Sequence, residues 1–162
     1  SATWMSNLSP EEIDSIHWIT THGSGIINKY MRNEEHPSAH NYSKEFIAKQ
    51  AQSFLSAMEK SPVIDKPITI YRGTKEKNVI KDFSNSPASS STDYKVAENF
   101  TKNKTNAIIM KISTRKIANV STMSDWGIDE SEILAPLGKY EQKETTKLHQ
   151  YSVIELNYID KD

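Results

Sequence analysis

Up to about residue 60, apolar positions recur at the three- and four-residue intervals of helices; from Pro67 onward they come in short runs bounded by turn residues. Ser9-Pro10-Glu11-Glu12 supplies an N-cap serine, a proline at the first helical position and an acid placed to close a capping box. Ile13, Ile16 and Ile19 continue that helix on one face. Gly23 and Gly25 predict a break, after which Ile26, Ile27, Tyr30 and Met31 mark a second short helix ending near Arg32. The stretch from Asn33 to Asn41, with Pro37 and little apolar content, reads as a loop. Phe46, Ile47, Gln50, Ala51, Phe54, Leu55 and Met58 then define a third helix, from near Ser43 to before Pro62.

The β-rich runs are Ile68 to Tyr71, Ser89 to Ser91, Ala107 to Ile112, Ile117 to Val120, Glu132 to Ala135, and Gln150 to Tyr158. Turn-rich stretches such as Asn85-Ser86-Pro87 and Ser124 to Gly127 separate them. Helices first and strands afterwards predict an α+β fold with a mainly antiparallel sheet. A chain of 162 residues holds one respectable core, so a single domain over 1–162 is expected, with a helical layer over about 8–60 and a β core over about 67–160.

A formal net charge of -1, with the basic residues dispersed, leaves nothing global to drive the chain onto nucleic acid or an anionic membrane. No apolar run approaches the roughly 20 residues of a membrane span, and no signal-peptide blocks open the chain, which predicts a soluble protein. Zero cysteines exclude disulfides, thiolate zinc sites and a cysteine nucleophile. His36 and His40 are four apart, but Pro37 disturbs the helix that metal binding at that spacing needs, so surface histidines and no metal are expected. Ser1 in place of a starting Met predicts a processed or excised fragment.

Three patches carry candidate chemistry. Arg72 ends a predicted strand, and the following Gly73 lets backbone approach a ligand closely; a guanidinium there either grips phosphate oxygens through two parallel hydrogen bonds or closes a strand-end salt bridge. In Ser89-Ser90-Ser91 the outer two hydroxyls share one face of a strand, where they border a pocket unless the run is a polar loop. Glu130 and Glu132 fall on one side of an extended segment rooted by Ile133 and Leu134. Two acids so close suit two separate tasks, or else form an acidic surface turn.

In this order, Arg72, the serine strand and Glu130-Ser131-Glu132 resemble the mono-ADP-ribosyltransferase toxins of the arginine–serine–glutamate class, over roughly Leu8 to Tyr158. The bacterial exoenzyme branch, with its actin- and Rho-modifying toxins and injected effectors, is similar in pattern, and phage transferases share the signature. The resemblance implies helices packed on a split antiparallel β-sandwich whose cleft holds NAD as co-substrate, without metal. It implies that Glu132 is the catalytic carboxylate, oriented by Ser89, and that Arg72 holds the pyrophosphate beside Gly73. Glu130 occupies the place where glutamate accompanies arginine modification and glutamine accompanies asparagine modification.

Asn28 and Arg32, in Gly25-Ile26-Ile27-Asn28-Lys29-Tyr30-Met31-Arg32, match the family's helix beside the dinucleotide. Ser89 and Ser91 match the outer serines of its serine–threonine–serine strand, with Ser90 replacing the threonine. The resemblance implies that Phe100 begins the loop that presses on nicotinamide and phosphate, where Lys102 and Lys104 are the nearest cations. Trp126 is either the target-facing aromatic of the recognition turn or a core tryptophan. The implied partner is a host protein with an acceptor arginine: actin, by analogy with relatives carrying paired glutamates, or another protein. A delivery component and an immunity or inhibitor protein are further implied partners. The implied setting is a secreted or injected enzyme acting in the target-cell cytoplasm, or a phage-encoded cytoplasmic one. Two rival readings are an NAD glycohydrolase using the same cleft and a non-catalytic module that binds NAD, or binds protein through Trp126 and Trp18.

Overall fold

The structure, a computed structural model, describes residues 2–74, 88–120 and 132–159. Trp126 and Glu130 lie outside them. Helix α1 (Ala2–Ser6) precedes α2 (Pro10–Trp18), and the capping box at Ser9 forms: Ser9 Oγ accepts from the Glu12 amide at 3.2 Å and the Glu12 carboxylate accepts from the Ser9 amide at 2.7 Å. Glu12 does more than cap. Its side chain is buried against α4 (Lys44–Glu59), where the Ser56 hydroxyl and the Lys60 ammonium, at 2.8 Å, both donate to it.

Burial alone would raise the Glu12 pKa, but the hydrogen bonds from Lys60, Ser56 and the Ser9 backbone outweigh it and hold the carboxyl at about 2, below the ordinary 4.5. The stability contributed by the charged form is therefore complete above the ordinary value and is lost as pH falls from there toward about 2. Glu12→Ala is expected to cost about 2–3 kcal/mol at neutral pH. Denaturant unfolding across the acid range should show wild type converging on the variant, and parallel curves would exclude Glu12 as the source.

In place of the expected glycine break, Ile19–Gly23 forms a π-helical turn that runs directly into α3 (Ser24–Met31). A Cβ on Gly23 would lie 2.5 Å from the indole of Trp18, five residues earlier, so the glycine admits a ring beneath the wide turn. That indole meets Tyr42 and Phe46 edge-on at 5.3 and 5.2 Å and packs, partly buried, against the helical core. Within the expected loop, Pro37–Asn41 forms a 3₁₀ turn. His36 Nδ1 accepts from the Ser38 amide and His40 Nδ1 donates to the Pro37 carbonyl. The core of the helical layer is Trp4, Ile16, Ile19, Ile27 and Phe54, all buried, with the Trp4 indole donating to the Ala57 carbonyl at 2.8 Å. Leu55, assigned to the buried face of α4 from its spacing, is 42% exposed, and Ala57 is buried instead.

The strands are β1 (Val63–Thr74), β2 (Ser89–Ser91), β3 (Ala107–Lys116), β4 (Ala118–Asn119), β5 (Glu132–Leu134), β6 (Lys139–Lys147) and β7 (Tyr151–Ile159). They form one hydrogen-bonded ladder in the order β4-β5-β2-β1-β3-β7-β6, antiparallel except for β3 with β7. Neighbours on β5 point to opposite sides: Leu134 packs with the helices, while Ile133 joins Ile70, Met110, Ile112 and Leu156 in a second cluster built from strands. The ladder thus has helices on one side and a strand core on the other. Helix α5 (Tyr94–Thr101) starts at Asp93, whose carboxylate accepts from the Lys95 amide.

Strand β6 was not expected. Its sequence, KYEQKETTK, is largely exposed at the edge of the ladder, so it carries no apolar alternation, and its lysines and glutamates discourage pairing with another chain.

Candidate active site

A cleft of about 450 Å³ opens where β1, β2, β5 and α5 converge. It is lined by Arg72, Gly73, Ser89, Ser91, Phe100 and Glu132, so six residues proposed from sequence meet in one hollow, together with Tyr71, Val96 and Lys104. A smaller hollow of about 130 Å³ adjoins it, lined by Ser24 and Asn28 of α3 and sharing Thr20, Arg72 and Ser89 with the first. Arg32 lines neither: it ends α3, with Nε 3.7 Å from the Glu34 carboxylate.

The register explains how the acid and the hydroxyls meet. Ser91 lies opposite Glu132 and Ser89 opposite Leu134, which puts both outer serines on the face of β5 that carries the carboxylate. Ser90 pairs with Ile133 and is buried toward the strand core, its hydroxyl 3.4 Å from the Ala88 carbonyl. The direct cross-strand neighbour of Glu132 is therefore Ser91, whereas Ser89, to which the resemblance assigned the orienting role, is diagonal to it. Ser91 Oγ accepts from the Asp93 amide at 3.0 Å, which leaves its hydroxyl proton to donate elsewhere.

Arg72 Nη1 donates to the Ser89 carbonyl at 2.8 Å, and among the described residues no carboxylate pairs with it. Burial lowers its pKa from the ordinary value; a guanidinium so desolvated, with one backbone partner, has spare donors facing the cleft. Asn28 Oδ1 is buried with no hydrogen-bond partner among the described residues. A cation without a carboxylate partner and an acceptor without a donor, among the described residues, fit a ligand with an anionic bridge and hydroxyl or amide donors, the chemistry of a dinucleotide.

Gly73 lines the cleft and also makes room for a helix. A Cβ there would lie 2.1 Å from the Ala97 carbonyl oxygen and 2.9 Å from Phe100 Cβ, so the glycine admits the backbone of α5, which sits directly upon it. Phe100 consequently projects from the last turn of α5, 57% exposed, and not from the following loop. Lys104 Nζ is 5.6 Å from the Phe100 ring centroid and is the one of the two lysines that lines the cleft.

Sequence reasoning missed Thr20, which lines both hollows from within the π-helical turn while its hydroxyl donates to the Ile16 carbonyl at 2.9 Å. A threonine in a helical stretch gives no warning by itself. The legible signal is the Trp18–Gly23 pair, a bulky ring and a glycine at the five-residue spacing of a π turn.

The fold is similar to the Vis toxin of Vibrio splendidus, an ADP-ribosyltransferase solved in complex with agmatine, with a TM-score of 0.71, 18% identity, and coverage of 96% of this chain and 77% of that one. It is similar to Plx2a, an ADP-ribosyltransferase toxin of Paenibacillus larvae, at TM-score 0.72 and 20% identity, covering 98% and 90% of the two chains. Exoenzyme S of Pseudomonas aeruginosa, solved with human 14-3-3 protein beta and carba-NAD, superposes at TM-score 0.67 and 18% identity, covering 91% and 74%. Among curated proteins, no sequence matches significantly. The sequence matches the ADP-ribosyltransferase exoenzyme family over residues 1–125, and the chain belongs to that family.

Proposed function

We propose that this chain is a mono-ADP-ribosyltransferase that takes NAD as co-substrate and modifies an arginine side chain of a target protein. The observation that carries the reading is the shared cleft of Arg72 and Glu132, with Ser91 directly across from the carboxylate. Carba-NAD in exoenzyme S supports the dinucleotide, and agmatine in Vis, itself a guanidine, supports the acceptor class.

NAD supplies ADP-ribose, with nicotinamide as the leaving group. Arg72 holds the diphosphate, a fixed anchor from which the nicotinamide departs. Asn28 Oδ1 accepts from a donor of the same ligand. Glu132 accepts the hydrogen bond of the ribose 2′-hydroxyl, and its charge stabilises the positive charge that grows at C1′ as the bond to nicotinamide breaks. Glu130 pairs with the incoming guanidinium and takes the proton released when a guanidino nitrogen bonds to C1′.

The test separates transfer from hydrolysis. With labelled NAD, wild type is expected to label both agmatine and a protein of a host lysate. Glu130→Gln should lose transfer by about 100-fold while NAD hydrolysis stays within a few-fold. Consumption of NAD by wild type with no label on any acceptor would establish the glycohydrolase reading instead. As a toxin-family chain it is further proposed to reach its target by secretion or injection; no described helix is long and apolar enough to cross a membrane.

A further inference from the structure

Helix α5 is held from behind by a hydrogen-bonded trio that involves none of the cleft residues. The hydroxyls of Tyr94 and Tyr151 are 2.6 Å apart, and the Tyr151 hydroxyl donates to Glu98 Oε2 at 2.7 Å. Tyr94 and Glu98 are one turn apart on α5, so together they grip a single hydroxyl presented by the first residue of β7. At 3.6 residues per turn, Val96 and Phe100, the side chains that wall the cleft, lie roughly half a turn round the helix from that pair. The Tyr94 ring also meets Tyr71 edge-on at 5.2 Å, and Tyr71 lines the cleft immediately before Arg72 on β1.

We propose that Tyr151, with Tyr94 and Glu98, is a positioning device for the dinucleotide cleft: it ties α5 to β7 and so sets the distance of Val96 and Phe100 from Arg72. This deepens the NAD-cleft reading above and rests on it. Two features make the tie specific. The contact at Gly73 leaves no slack beneath α5, so the helix pivots on the Ala97 carbonyl, and a force on its outer face alters the tilt of its inner one. The Tyr151 hydroxyl is also a persistent donor: its pKa is pushed far above the ordinary range, first by the bond with Tyr94, then by burial and Glu98. The trio touches no reacting atom, so its effect falls on binding and not on the bond-breaking step.

The experiment measures NAD hydrolysis by the full chain without acceptor, for wild type, Tyr151→Phe, Tyr94→Phe, Glu98→Ala and Glu98→Gln, with a thermal melt of each. Tyr151→Phe keeps the ring and removes both hydrogen bonds; it is expected to raise KM for NAD about tenfold with kcat within twofold. Tyr94→Phe should give a smaller rise of the same kind. Glu98→Ala should match Tyr151→Phe, whereas Glu98→Gln, which still offers an oxygen to the Tyr151 hydroxyl, should restore the wild-type KM. If wild type binds NAD and Tyr151→Phe leaves KM within twofold, the positioning role is overturned while the NAD reading stands. A lowered melting temperature with an unchanged KM in the folded fraction would reduce the trio to a stabilising contact and overturn the proposal as well. If wild type itself neither binds nor cleaves NAD, both fall together.

Discussion

Glu132→Gln is expected to abolish NAD hydrolysis and transfer together, lowering the rate by about 10²–10³-fold, or ~3–4 kcal/mol of barrier. The substitution keeps the shape and one acceptor oxygen, and removes the charge together with the second acceptor. Ile133 and Leu134 root the strand on both faces, and the backbone bond from the Val120 amide to the Glu132 carbonyl does not depend on the side chain. The melting temperature should therefore stay within about 2 °C of wild type. Loss of both activities is the discriminating point, because an acid that served only the acceptor would spare hydrolysis, as expected for Glu130. Wild-type hydrolysis by the glutamine variant would show that the growing charge is met elsewhere.

Arg72→Met should act with opposite signs on binding and on stability. Losing a guanidinium that clamps a diphosphate removes charge-assisted bonds worth about 3 kcal/mol or more, a fall above 100-fold in NAD affinity by calorimetry. Yet the same guanidinium is partly buried in the cleft wall, has one backbone partner and, among the described residues, meets no carboxylate. Replacing it with an apolar side chain of similar length relieves that penalty, so unfolding free energy should be unchanged or higher by about 1–2 kcal/mol. The strand-end salt bridge left open by the sequence makes the reverse forecast: a destabilised variant that still binds NAD. Titration and denaturant unfolding of one preparation decide between the two.

How much of this was written in the chain depends on what each residue faces. Helix α4 and the box at Ser9 were legible because apolar spacing and capping chemistry act locally, within one turn. The serine strand was legible in its alternation, and Ser90 does turn inward. Strand β6 was not, because an edge exposed to water needs no apolar residue, and its pairing is decided by β7. Gly73 was legible as a place of close backbone approach, but not that a carbonyl 24 residues along the chain also needs the room, a contact that no local pattern encodes. The site was legible as residue types in order, with Arg72, Ser89, Ser91 and Glu132 lining one cleft. The geometry within it was not: that Ser91 faces Glu132, that Ser89 holds Arg72 through its backbone, and that Thr20 borders both hollows follow from register and helix phase.

The wide turn at Ile19–Gly23 separates two jobs along what is otherwise one helical rod. Upstream, α2 is locked to the interior by Ile16 and the Glu12 bonds; downstream, α3 presents Ser24 and Asn28 to the smaller hollow beside the cleft. One residue of slack at such a turn swings everything after it by about 100° about the axis. The angular phase of the hollow-facing segment is thereby uncoupled from that of the segment anchoring it, so a lineage could re-aim what α3 offers to that hollow by gaining or losing a single position there without disturbing the packing upstream.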